Sequence, residues 1–411
     1  MKKNEPLIKR IVISHISKKF CIVGSCLLLS GCFANKVHSP FDKSTHGNQE
    51  IALFLPLSGN HSAVALQLKD AAMLAFEDTN STTPPPKVRV FDTSALSPQA
   101  AAESAIADKA SVVLGPITAE ETRAASEKLL LAGIPEISFT SDTREEKQNL
   151  WVSGLTARQQ VSRLVSALKA EGKTDVAAFL PMNDFGKSFG EALSELCQEN
   201  NLPAPQIVYH DGSAEQIAQN LQLLAKTQER HEAFEKAKET SDQALLAPPP
   251  FQALLLADTG VNLRNIIHYL PDSDIQPSNV QIMGPALWRA FDAKLAEIQG
   301  AWYAALDDRN RAEYVKKYEA KYHQTPLMIT DIAYDLASVS KELQAGDALS
   351  AKTLQRPNGF QGIDGNFSFK ENGRMERDLV LYQILPSGGA KIVDSNPTTN
   401  PVPTDNSERL P

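Results

Sequence analysis

The sequence predicts an α/β protein in two halves, each a parallel sheet with helices on both faces. Three observations carry this reading. Short apolar runs end at a turn residue or a proline, and segments with apolar residues at helical spacing follow them. The loops between these segments are short, as repeated βα units require. The chain has 411 residues, which suits two domains or one two-lobed unit.

The elements follow in order. Residues 51–55 of "IALFLPLSG" form a continuous apolar run stopped by Pro56, the pattern of a strand buried on both faces. Val64, Leu68, Ala71, Ala72 and Ala75 then recur at helical spacing. "KVRVFDT" is a short strand, and "PQAAAESAIADKA" is a helix opened by Pro98. "SVVLGP" is a strand, "AEETRAASEKLLLAG" a helix closed by Gly133, and "IPEISF" a strand. The rhythm resumes with "LWVSG", a helix over 158–171, the strand "DVAAFLP" and the helix "GKSFGEALSELCQEN". "QIVYH", "QALLLAD" and "NVQIMGP" read as strands, alternating with the helices "AEQIAQNLQLLAKT" and "VNLRNIIHYL".

Residues 228–250 interrupt this alternation with a charged, helix-prone stretch and a Pro-rich return loop, either a solvated face or a partner-contact surface. Beyond "GAWYAAL" two helices are expected, over 309–322 and 329–343. Two strands then flank a turn at Asn372-Gly373.

Composition is that of a soluble globular chain, 42% hydrophobic and 22% charged, with a net charge of −8. The first 31 residues hold six Lys/Arg and one acid; the remainder carries 35 basic and 48 acidic residues. That balance argues against nucleic acid or an anionic membrane surface as the main partner.

The amino end reads as a targeting segment. Lys2, Lys3, Lys9, Arg10, Lys18 and Lys19 precede an apolar run over 20–29. Ten residues are too few to span a bilayer, which takes about 20, but they suit a signal-peptide core. Leu29-Ser30-Gly31-Cys32 resembles the bacterial lipobox. Residues 1–31 are therefore expected to be a signal peptide, with Cys32 lipidated and anchored in a membrane. Phe33 follows the cysteine, where Asp would mark inner-membrane retention by enterobacterial sorting, so the outer membrane is expected. Residues 32–49 are polar and aperiodic and read as a flexible tether; 395–411 read as a disordered tail. Cys197, the one thiol left after lipidation, lies in a helical pattern and reads as a core residue.

The catalytic signatures are missing. No dinucleotide fingerprint follows a strand, and there is no Walker-type loop or Gly-x-Ser-x-Gly elbow. The eight histidines have no zinc spacing, so no metal or other cofactor is expected. "NDFG", over 183–186, reads as a turn before a helix.

An ordered series of segments resembles a known superfamily. "IALFLPLSGNHSAVALQLKDAAMLAFED", "VVLGPITAEETRAAS", "GIPEISFTSDT", "LPMNDFGKSFGEAL", "IMGPALW", "YEAKYHQTPLMITDIAYDLA" and "GFQGIDGNFSFKENG" resemble type I periplasmic binding proteins of the leucine/isoleucine/valine-binding kind. The lipobox and loop details look most like penicillin-binding protein activators. The resemblance spans about 50–394. It implies two α/β lobes joined by three crossover segments around a cleft, with lobe 1 over 50–152 plus 304–360 and lobe 2 over 156–302 plus 363–394.

A parallel sheet places its binding crevice at the carboxyl ends of its strands. On lobe 1 that rule selects Ser58, Gly59, Thr118, Ser138, Thr140 and Ser141; on lobe 2 it selects Asp184, Asp258 and Trp288. Hydroxyls and free N–H groups at helix starts suit an anion, or simply cap the helix. Resemblance to amino-acid binders gives Thr118, Ser138 and Thr140 to a ligand carboxylate. Those relatives place an acid after Gly-Pro to pair with the ligand ammonium, whereas Ala286 follows Gly284-Pro285 here. Trp288 either lines the cleft or packs in the core. The expected function is therefore a non-enzymatic lipoprotein that regulates a peptidoglycan synthase, a bifunctional penicillin-binding protein, by contact. The alternative is an amino-acid receptor for an importer.

Overall fold

The computed structural model describes residues 50–78, 85–346 and 348–394. The expected signal peptide, the lipidated Cys32, the tether and the tail lie outside the described residues.

Lobe 1 is built on five parallel strands in the order β2-β1-β3-β4-β5. They are β1 (Glu50–Leu55), β2 (Val88–Asp92), β3 (Ala110–Leu114), β4 (Glu136–Ser138) and β5 (Leu150–Val152). Helices α1 (Ser62–Phe76), α2 (Pro98–Ala107) and α3 (Ala119–Leu131) connect the first four. Period-2 alternation assigns each strand residue to a face. Ile51, Leu53 and Leu55 join the core beneath α1, while Ala52 and Phe54 join the core beneath α2 and α3. Both faces are covered, which is why β1 reads as an unbroken apolar run.

Lobe 2 has seven strands in the order β15-β14-β10-β9-β8-β6-β7. The chain enters it through α4 (Ala157–Ala170), then runs β6 (Val176–Pro181), α5 (Asp184–Glu199), β7 (Gln206–His210), α6 (Ala214–Leu224) and α7 (Thr227–Lys238). It continues through β8 (Ala253–Leu256), α8 (Gly260–Tyr269), β9 (Gln281–Gly284) and β10 (Trp302–Ala305). Leu254 and Leu256 face the core with α6 and α8; Ala253 and Leu255 face the core with α4 and α5. The interrupting stretch is α7 and a return loop, as its composition predicts.

After β10 the chain returns to lobe 1. There α9 (Ala312–Tyr322) and α10 (Thr330–Ala345) pack on the α1 face, followed by the short α11 (Ala351–Leu354). Three antiparallel strands follow: β11 (Phe360–Gly362), β12 (Gly365–Phe369) and β13 (Met375–Arg377). The chain crosses a third time into β14 (Val380–Ile384) and β15 (Ala390–Asp394), which add an antiparallel edge to the lobe 2 sheet. The result is the two-lobed type I periplasmic-binding fold.

Three details differ from the sequence reading. The return to lobe 2, expected from residue 363, comes at Leu379, because Phe367, Phe369 and Met375 pack in the lobe 1 core. The second strand after Asn372-Gly373 is split into β13 and β14, because Arg377 still pairs with Phe367 of β12 while Leu379 already packs in the lobe 2 core. Helix α5 begins at Asp184, two residues before Gly186, because Asn183 Oδ1 accepts the Gly186 N–H at 2.9 Å.

Candidate functional site

The loops at the carboxyl ends of the strands position every candidate side chain. After β1, Ser58 and Gly59 are exposed; Ser58 Oγ donates to Asp92 Oδ2 at 3.1 Å, at the end of neighbouring β2. Thr118 caps α3, accepting the Glu121 N–H at 3.2 Å and donating to Glu121 Oε2 at 3.0 Å. Ser138 ends β4 and is fully buried. Its Oγ donates to the Pro116 carbonyl at 3.0 Å, accepts the Thr140 N–H at 3.2 Å and stands 2.6 Å from Thr122 Oγ1. One hydroxyl has one proton and two lone pairs, so Ser138 has nothing left for a ligand. Thr140 is buried and accepts the Asp142 N–H at 3.2 Å; Ser141 is exposed.

Across the cleft, Asp258 follows β8 and His210 ends β7, with β6 between them in the sheet. Their side chains meet over that strand, Asp258 Oδ2 lying 3.1 Å from His210 Nε2, and both are buried. The His210 ring stacks on Phe179, centroids 4.6 Å apart. Trp288 is fully buried and donates its indole N–H to the Asp258 carbonyl at 3.1 Å. Its ring comes so close to Gly284 that a Cβ there would stand 2.3 Å away, which is why a glycine precedes Pro285. Where an amine-pairing acid would stand, the Ala286 N–H donates to Gln160 Oε1 at 2.7 Å.

A cavity of about 460 Å³ opens between the segment after β4 and the starts of α4 and α5. Thr140, Ser141 and Asp184 line it; Ser58, Gly59, Thr118, Ser138, Asp258 and Trp288 do not. Charge dominates its walls. Asp142 takes Arg144 in a two-pronged pair at 2.8 and 2.6 Å, and the guanidinium holds that carboxyl below its ordinary range. Arg144 also reaches across to Asp184, 3.6 Å away. Arg158 pairs with Glu195 and Glu199, at 2.9 and 2.6 Å. Arg374, from the β12–β13 turn, lies 3.4 Å from Glu146, a carboxyl that burial pushes up. Lys187 makes no ion pair among the described residues.

Sequence reasoning did not select Arg144, Arg158, Lys187 or Arg374. The legible signal was Asp142-x-Arg144, whose two-residue spacing allows a local pair. Chemically, the walls can recognise charge. Among the described residues, no group of three His, Cys, Asp or Glu could hold a metal ion, and no helix is long and apolar enough to cross a membrane.

Comparison with known proteins agrees with this architecture. The family profile described as periplasmic binding protein matches residues 48–390. The C-domain of LpoA from Haemophilus influenzae, a regulator of PBP1A, superposes with a TM-score of 0.61 at 17% identity, covering 84% of this chain and 100% of that one. A branched-chain amino acid ABC transporter periplasmic ligand-binding protein from Burkholderia xenovorans gives 0.59 at 15% identity, covering 84% and 95%. An uncharacterised protein of Rickettsia prowazekii is 22% identical over 257 residues, 60% of this chain and 67% of that protein.

Proposed function

This chain belongs to the periplasmic binding protein family, and from that premise we propose that it is a periplasmic lipoprotein that regulates a peptidoglycan synthase by protein contact. In this reading residues 1–31 are removed, Cys32 carries the lipid, and the outer membrane holds it. The observation that carries the proposal is the state of the cleft. Two of the three hydroxyls that would hold a ligand carboxylate, Thr118 and Ser138, donate within lobe 1, and Asp258 is committed to His210; Thr140 accepts the Asp142 N–H and keeps its proton. A zwitterionic amino acid would meet one of its three carboxylate partners and no acid after Gly284-Pro285 for its ammonium, and an unmatched buried charge is strongly disfavoured. The fold shared with LpoA supports a contact role, since that protein regulates PBP1A.

The test is direct. Purified protein lacking residues 1–31 is added to a bifunctional penicillin-binding protein from the same cell, and glycan polymerisation is followed. A several-fold stimulation with co-capture of the synthase is expected. Unchanged polymerisation and no co-capture would remove the reading.

A second reading is an importer's receptor for amino acids or related anions. It is favoured by the charged cavity, in which Lys187 makes no ion pair among the described residues. Thermal-shift screening against amino acids and small carboxylates tests it, and an upward shift that saturates with ligand would favour it.

A further inference from the structure

The third crossing between the lobes carries a buried set of charges that the cleft does not use. Strand β13 still belongs to the three-stranded sheet on lobe 1, while Leu379, two residues on, lies in the lobe 2 core. At this point Arg377 is 8% exposed, with Nη1 3.3 Å from Asp335 Oδ2. Asp335 also accepts the Ile363 N–H at 2.9 Å. One turn earlier on α10, buried Asp331 pairs with Arg311. Asp364, in the β11–β12 turn, is fully buried; no donor group reaches its oxygens among the described residues, and the group it faces in hydrogen-bonding contact is the Asp331 carboxyl. Arg377 Nε and Nη2 are unpartnered among the described residues. Gly362 packs so close that a Cβ would stand 2.2 Å from Asp335 Oδ2.

Every element packed here contributes. Helix α10 gives Asp331 and Asp335, β13 gives Arg377, the β11–β12 turn gives Asp364, and the segment before α9 gives Arg311. Tyr314 of α9 donates to Thr330, beside Asp331. Three carboxyls thus face two guanidiniums. Fully ionised, the set would keep one uncompensated negative charge away from water, which is heavily penalised.

We propose that Asp364 carries a proton while the three-stranded sheet at the third crossing is closed on α10 and gives it up when that sheet opens, so that the cluster is a proton-dependent latch on the crossing strand. Burial, then the facing Asp331 carboxylate, pushes Asp364 up to about 9. Burial also raises Asp335, to about 6, with Arg377 opposing it. The sign follows. A carboxyl exposed by opening ionises above about pH 4, whereas the closed one keeps its proton to about 9. Between those limits opening releases a proton, so its equilibrium rises about tenfold per pH unit and levels off above. The latch is tightest in mild acid.

Amide hydrogen exchange on the protein lacking residues 1–31 tests this through the protection factors of β11, β12 and β13. From pH 6 to 8 they should fall by roughly 100-fold in the wild type and stay level in Asp364→Asn, which mimics the protonated acid. Level wild-type protection, or the same slope in the variant, would overturn the proposal. Should the variant fail to fold, carboxyl carbon NMR of the wild type decides: Asp364 must remain protonated at pH 7, and an ionised Asp364 at that pH refutes the latch.

Discussion

On the lobe 1 wall of the cleft the groups at the strand ends are hydroxyls; on the lobe 2 wall the central group is a carboxylate. Two of the hydroxyls are consumed locally. Thr118 bonds within its own helix start, and Ser138 bonds to the neighbouring β3–α3 loop. The carboxylate is consumed at long range, Asp258 meeting a histidine 48 residues away in the chain. A loop that caps its own helix can in principle trade that cap for a ligand. A buried carboxylate and its histidine, the ring stacked on Phe179 and the Asp258 backbone carbonyl held by the Trp288 indole, cannot part without leaving a polar group bare. The two walls therefore differ in how readily they could take a ligand, and substitution can measure the difference.

The largest effect is expected on lobe 2. His210→Ala leaves Asp258 buried without its partner and opens a hole against Phe179, and should cost about 3 kcal/mol in urea unfolding. A loss below about 1 kcal/mol would mean that Asp258 is free to serve the cleft. Ser138→Ala on lobe 1 strips the Thr140 N–H of its acceptor and should cost about 1–3 kcal/mol by the same assay. Thr118→Ala removes an N-cap, a loss of about 1 kcal/mol. At the bottom of the scale, Arg144→Ala breaks the solvated pairs with Asp142 and Asp184 and should leave the unfolding midpoint unmoved, because exposed pairs are screened. A clear drop there would identify the Arg144–Asp184 contact as a real tie between the lobes.

Much of the framework is visible in the sequence because doubly covered parallel strands must be apolar throughout. The run at 51–55 and the strands β3, β6 and β8 show this, all buried along their length. The split between β13 and β14 is not visible, since it depends on Arg377 finding Asp335, 42 residues earlier. The same holds for the site. Residue type placed Thr118 and Ser138 at helix starts and strand ends. It could not show that Ser138 would be shared among Pro116, Thr122 and Thr140, because those partners come together only when β3, α3 and β4 pack. Trp288 could be read either way from its position; its burial against Gly284 is a matter of packing. The cavity's cations were passed over because Arg144, Arg158, Lys187 and Arg374 come from four separate segments.

The central claim is that most of the polar groups able to hold an amino acid, Thr118, Ser138 and Asp258, are spent on the fold. Isothermal titration calorimetry of the protein lacking residues 1–31 with leucine, isoleucine, valine and glutamate tests it most directly. No heat of binding at millimolar ligand is expected. Saturable binding near a micromolar Kd, about −8 kcal/mol, would contradict it.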